Sequence, residues 1–179
     1  MAGELGLYDY RQPSWPLPNL WLGVSVEDQQ RAKERLMDLV EIPAAIRFIS
    51  AEPLLGQVDL RPWLDRIQWV IAGGESGDGA RPMHPDWVRA IRDDCLTHDV
   101  AFLFKQWGNW HPEVDIDRDD PDRKQPYADY RPPYFQMLNL SGGHTAIGTR
   151  LHVMRHCSKK SSGRTLDGRT YDGFPTTTT

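Results

Sequence analysis

The chain has 179 residues, one domain's worth, and its 39% hydrophobic content is enough to bury a real core. Its formal net charge is −4 and no basic run occurs, so bulk attraction to nucleic acid is not indicated. No apolar stretch nears the roughly 20 residues that span a bilayer. The start, MAGELGLYDYRQPSW, lacks the basic end and apolar core of a signal peptide. Two cysteines, Cys95 and Cys157, are too few for a disulfide scaffold or a cysteine-built metal site. The expected setting is the cytoplasm, with both thiols reduced.

Past an N-terminal arm (residues 1–18), the run LWLGV at 20–24 predicts a first buried strand, ending at Ser25-Val26-Glu27. Ala32, Leu36, Leu39 and Val40 then recur at helical spacing until Pro43 stops the pattern. A second run, IRFI at 46–49, ends at Ser50-Ala51-Glu52 before Pro53, and a looser segment holds at most a short helix over 62–67. The third run, WVIA at 69–72, ends at Gly73-Gly74-Glu75-Ser76. Pro85 and Asp86 suit the first turn of the next helix, with Val88, Ile91 and Cys95 inward. The fourth run, 100–104, ends at Lys105-Gln106-Trp107-Gly108.

Continuous apolar strands separated by helices indicate a parallel sheet buried on both faces. The step from Glu27 to Glu52 is 25 residues, and that from Glu52 to Glu75 is 23. A (β/α)₈ barrel of about 250 residues averages roughly 31 per unit. The expected fold is therefore α/β: a partial, half-barrel βα repeat of about four units over 19–112. A Pro- and charge-rich insertion (113–135) and a C-terminal extension with a flexible tail (136–179) complete the chain. Within that extension, YFQMLNL and TAIGTRLHVMRHC suggest one more strand or a hairpin. His152, His156 and Cys157 have helical metal-ligand spacing, but a surface histidine pair beside a buried thiol is the better reading, and no metal site is expected.

In parallel α/β sheets, functional groups gather at the carboxyl ends of the strands. The expected ligand-binding set is therefore Ser25, Glu27, Ser50, Glu52, Gly73, Gly74, Glu75, Ser76, Lys105, Gln106 and Trp107. The two glycines would let a ligand approach the backbone, Lys105 would balance the carboxylates or meet an anion, and Trp107 would stack on a ring.

The segments PNLWLGVSVEDQQRA, RFISAEPLLG, WVIAGGESGDGARPMHPDWVR, FLFKQWGNW and GRTLDGRTYDGFP resemble a phage and prophage family of unassigned function. Its full-length members look like radical S-adenosylmethionine proteins, with a TIM-barrel-like fold and an N-terminal cysteine triplet. The resemblance covers roughly residues 18–110 and 159–175 and implies a match to the C-terminal part of such a barrel. It also implies that S-adenosylmethionine and a [4Fe–4S] cluster are reached only with a missing half or a partner chain; this chain alone is expected to bind no cofactor.

Three functions are open at this point. One is a small polar ligand held at the strand ends, another a carboxylate-dependent hydrolase using Glu27, Glu52 and Glu75. The third is a non-enzymatic phage protein that binds a host partner. Four parallel strands cannot close a barrel, so a covering layer is also expected. It would come from the N-terminal arm (Leu5, Leu7, Tyr8, Tyr10, Trp15), from residues 134–154, or from a second chain or self-association.

Overall fold

A computed structural model of the chain describes residues 15–117, 133–143 and 150–176. The first strand, β1 (Trp21–Ser25), leads to helix α1 (Gln29–Glu41), which starts where Asp28 accepts a hydrogen bond from the Arg31 amide at 2.8 Å. The α1 stripe of Ala32, Leu36, Leu39 and Val40 is buried, and the helix ends at the residue before Ile42-Pro43, whose proline disfavours a helical predecessor. Strand β2 (Ile46–Ala51), a 3₁₀ turn (Arg61–Arg66) and strand β3 (Trp69–Gly73) follow. Helix α2 (Pro85–Thr97) opens on the expected proline and buries Val88, Ile91 and Cys95 together with Trp87. Strand β4 (Ala101–Gln106) completes a four-stranded parallel sheet in the order β1-β2-β3-β4.

Consecutive strands lie side by side, which is the order that successive units of a (β/α) barrel take. Ser25, Ser50, Ile71 and Leu103 align across the sheet, as do Gly23, Phe48, Trp69 and Ala101. These two rows share one face, because side chains alternate along a strand. The opposite face, with Ile49, Ala51, Val70, Ala72, Phe102 and Phe104, is fully buried beneath the helices. Burial on both faces was the expectation from the apolar runs; the structure corrects it to one buried face and one half-covered. The apolar residues on the open face pack on one another: the Phe48 ring lies over Gly23, and Trp69 stands 5.8 Å from Phe48 and edge-on to Trp21 at 6.1 Å.

Beyond β4 a second sheet forms from β5 (Trp110–Asp117), β6 (Phe135–Leu138) and β7 (Arg150–His156), antiparallel in the order β5-β7-β6. Strand β5 runs into the segment read as an insertion. A one-turn helix, α3 (Lys159–Ser162), follows β7. Residues 163–176, expected as a flexible tail, take defined positions against the first sheet. Tyr171 accepts from the Phe104 amide at 3.0 Å, and the Gly173 amide donates to Phe102 at 2.9 Å, so the tail pairs with the outer edge of β4. Phe174 then lies 4.6 Å from Trp69 and 5.4 Å from Trp21, over the open face.

The tail, which was not among the segments expected to cover the sheet, therefore supplies part of that layer. Leu5, Leu7, Tyr8 and Tyr10 of the arm, and residues 118–132 of the insertion, lie outside the described residues; Trp15 is exposed. Among the described residues no helix is long and apolar enough to cross a membrane.

Candidate ligand site at the strand ends

The carboxyl ends of β2, β3 and β4 bring four of the expected residues together. Lys105 Nζ lies 2.9 Å from Glu52 Oε2. Gln106 Nε2 donates to Glu52 Oε1 at 3.3 Å and to Ser76 Oγ at 3.2 Å, joining three strand ends in one network. The glutamate is largely shielded, while half of the Lys105 side chain is in solvent (51%), so the ammonium has room to move. Above this network a pocket of about 440 Å³ opens on the half-covered face. Its walls are Ser50, Trp69, Ile71 and Leu103, with Glu52 and Lys105 at one end and Arg164 reaching in from the tail. A larger hollow of about 590 Å³ lies at the amino ends of β3 and β4, beside Gln68 and Ala101. Its polar groups do not converge in this way, and parallel sheets place their chemistry at the other edge.

Other members of the predicted set are engaged elsewhere. Arg35 holds Glu27 at 3.1 Å through both carboxylate oxygens and also donates to the Ser25 carbonyl at 2.6 Å, tying both residues to α1. Arg81 grips Glu75 as a fork, with bonds of 2.7 and 2.9 Å, and its own backbone amide adds a third at 2.7 Å. Glu75 thus borders a side hollow of about 370 Å³ rather than facing the main pocket.

These Arg81 hydrogen bonds, more than its charge, hold the Glu75 carboxyl below the ordinary carboxylate range, against the opposing effect of burial. A depressed folded pKa adds stability above the unfolded value and loses it as pH falls through the folded pKa. Arg81→Met is therefore expected to cost about 1 kcal/mol or less at neutral pH, since the arginine is well exposed. The gap between the two proteins should close below about pH 4, the unfolded glutamate range. Urea melts across that window check it, and a gap that widens on acidification would contradict it.

The expected glycine roles are corrected by what surrounds them. A Cβ on Gly74 would lie 2.1 Å from the Trp107 carbonyl oxygen, so this glycine lets two loops of the protein close on each other, not a ligand on the backbone. A Cβ on Gly73 would meet the Glu52 carboxylate at 3.0 Å. The stacking role of Trp107 is corrected too. Its ring is 3% exposed, donates Nε1–H to the Thr165 carbonyl at 2.8 Å and packs on Phe104. The aromatic wall of the pocket is Trp69 instead, whose Nε1–H is fixed by the Gly173 carbonyl at 2.9 Å.

Trp69 and Arg164, with Lys159 and Lys160 nearby, were missed by sequence reasoning. For Arg164 the one signal was the segment GRTLDGRTYDGFP, noted for its resemblance but given no role, and Trp69 was read only as a residue of the third strand. Reasoning also missed a buried cluster of His84, Asp86 and His152, whose ligand-type atoms lie within 4.8 Å of one another. His84 caps α2 by accepting the Asp86 amide on Nδ1 at 3.1 Å. His152 Nε2 lies 3.3 Å from Asp86, and Arg89 takes the other carboxylate oxygen at 2.9 Å. The cluster docks β7 onto α2. The helical spacing considered for His152 and His156 does not apply, because both stand on strand β7, about 13 Å apart at four residues' rise; His156 packs on Trp110.

Residues 4–175 match the family model DUF5131, described as a protein of unknown function. The chain belongs to the DUF5131 family. No curated protein and no solved structure matches it. The match includes both the strand ends of the first sheet and the tail that supplies Arg164, so the pocket of this DUF5131 chain lies wholly inside the family's extent.

Proposed function

We propose that the chain binds a small polar ligand at the carboxyl edge of β2–β4, as the C-terminal half of a phage-type, radical-SAM-like barrel would. The observation that carries this reading is the convergence of Glu52, Ser76, Lys105 and Gln106 beside a concave, half-apolar pocket of about 440 Å³. Ligand sites are commonly of this size and lining, roughly 300–1,000 Å³ with a few placed polar groups.

The cysteines do not fit a cluster of this chain's own. Cys95 is fully buried on the inner face of α2, and burial pushes its thiol up to about 12, while a cluster needs several thiolates in one place. Gly73-Gly74-Glu75 at the end of β3 adds no free cofactor group either, because Glu75 is held by Arg81 and Gly74 packs against the Trp107 loop. Any such cofactor would come with a further segment or a partner chain. The free side of β1 is where a second chain would add to the sheet, since no described strand pairs there. Hydrolysis by a carboxylate pair is less well supported, because Glu27, Glu52 and Glu75 each hold a different cation.

A fragment screen read by NMR tests the site. Polar fragments that bind should move the Trp69 indole and the Ser50, Leu103 and Lys105 amides. Glu52→Gln should weaken such fragments by about tenfold, as expected for losing one charged hydrogen bond, while keeping the fold. Fragments that gather only at the hollow beside Gln68 and Ala101 would defeat the proposal.

A further inference from the structure

The charge around the pocket differs in sign from that of the chain. Lys105, Lys159, Lys160 and Arg164 line one hollow of about 480 Å³, which shares Lys105 and Arg164 with the pocket on the open face. They outnumber the carboxylates paired there, Glu52 with Lys105 and Asp172 with Arg164. Neither Lys159 nor Lys160 has an ion pair among the described residues. In a chain of net charge −4 this is a local reversal. Lys105 and Arg164 remain about half exposed in their pairs, 51% and 49%. Exposed pairs are worth about 1 kcal/mol or less, so either cation can turn to an incoming anion at small cost.

The other half of the space is apolar. Trp69, Ile71 and Leu103 form a wall that is only partly covered. The Trp69 ring is set in place by the Gly173 carbonyl and by Phe48 and Phe174, so a planar partner would meet a surface already ordered. Glu52, at one end of the pocket, repels an anion placed beside it and so sets the orientation: negative charge out among Lys105, Lys159, Lys160 and Arg164, apolar group against the wall.

Resting on the ligand site proposed above, the geometry points to a phosphate monoester carrying a planar apolar group as the ligand class. A phosphate monoester brings close to two negative charges and three acceptor oxygens, which matches several separate cations better than a single carboxylate does. Nucleic acid as a polymer is a poorer match, because the basic groups form one cluster on an acidic chain and no stripe.

The test uses the full chain and phenyl phosphate, inorganic phosphate and phenol as probes, titrated by NMR at low salt. Phenyl phosphate is expected to bind at least about tenfold more tightly than either fragment, since it engages both halves, and to weaken as salt is raised. Lys105→Gln and Arg164→Gln should each reduce its affinity by about tenfold, the scale of one charge-assisted hydrogen bond. Affinity unchanged in both variants, or phenyl phosphate no tighter than phenol, overturns the assignment. If phenol moves Trp69 and Leu103 while the phosphates bind no better, the pocket stands and the ligand class falls. If no probe moves these residues, both readings fall.

Discussion

Gly108→Ala is expected to lower stability by about 4 kcal/mol or more, at the upper end for a single substitution. Gly108 has φ of +80°, where a Cβ alone costs roughly 1–2 kcal/mol. The larger cost is steric: the new Cβ would stand 2.0 Å from the Glu75 carbonyl oxygen and 2.8 Å from the Gly74 carbonyl carbon. These are backbone atoms, and they cannot turn away as a side chain would. They are also held in place, by the Gly74 amide on Gln106 at 2.9 Å and the Asn109 amide on Glu75 at 2.9 Å. The Gly108 carbonyl in turn accepts from the buried Ser162 hydroxyl at 2.7 Å, so retreat on that side breaks a bond to α3. Gly77→Ala is the control, since Gly77 also has a positive φ, +109°, but has nothing within 4 Å of its Cβ position. It should cost only the backbone strain, about 1–3 kcal/mol. At about 2–4 °C per kcal/mol for a chain of this size, the two variants should melt several degrees apart. Equal melting temperatures would mean that the close approach of the two loops is not a fixed feature of the fold.

The first sheet was legible because its signals are local. Apolar runs, helical spacing from Ala32 to Val40, and punctuation at Pro43 and Pro85 gave four strands and two helices in order. The strand-end chemistry was legible as a set but not as a partition. Serine, glutamate and lysine after each strand look alike in sequence. Whether Glu27 faces the pocket or Arg35 depends on where α1 lies, and whether Glu75 does depends on how the loop to Arg81 folds back. Gly74 carried a true signal with the wrong object: the close approach it permits is to the Trp107 loop. The tail was the least legible. Its contacts are single backbone bridges to β4, which leave no periodic trace, and Leu166 is a lone apolar residue among polar ones yet is fully buried. His84 and His152 met across 68 residues of chain, through the docking of a second sheet that periodicity could not orient.

The tail also carries the second large effect. Ending the chain at Ser162 is expected to cost more than about 5 kcal/mol, which rivals the whole stability of a typical domain. Leu166 is completely buried, and emptying such a site costs about 2–5 kcal/mol by itself. Trp107 would lose the Thr165 carbonyl that satisfies its buried indole, and Trp69 the Gly173 carbonyl. Arg89 and Arg92 on α2 would both lose Asp167. The outer edge of β4 would lose its partners at Phe102 and Phe104, exposing donors and acceptors that invite pairing with another chain. The shortened protein should therefore be largely unfolded, or associate through β4. Because truncation removes many contacts at once, Leu166→Ala in the full-length chain serves as the graded version, with an expected loss of about 2–5 kcal/mol and an unchanged association state. Light scattering with thermal melts reads both. A truncated chain that stays monomeric and melts within a few degrees of the full-length protein would show that the first sheet closes without its tail. The pocket that includes Arg164 would then lose its structural basis.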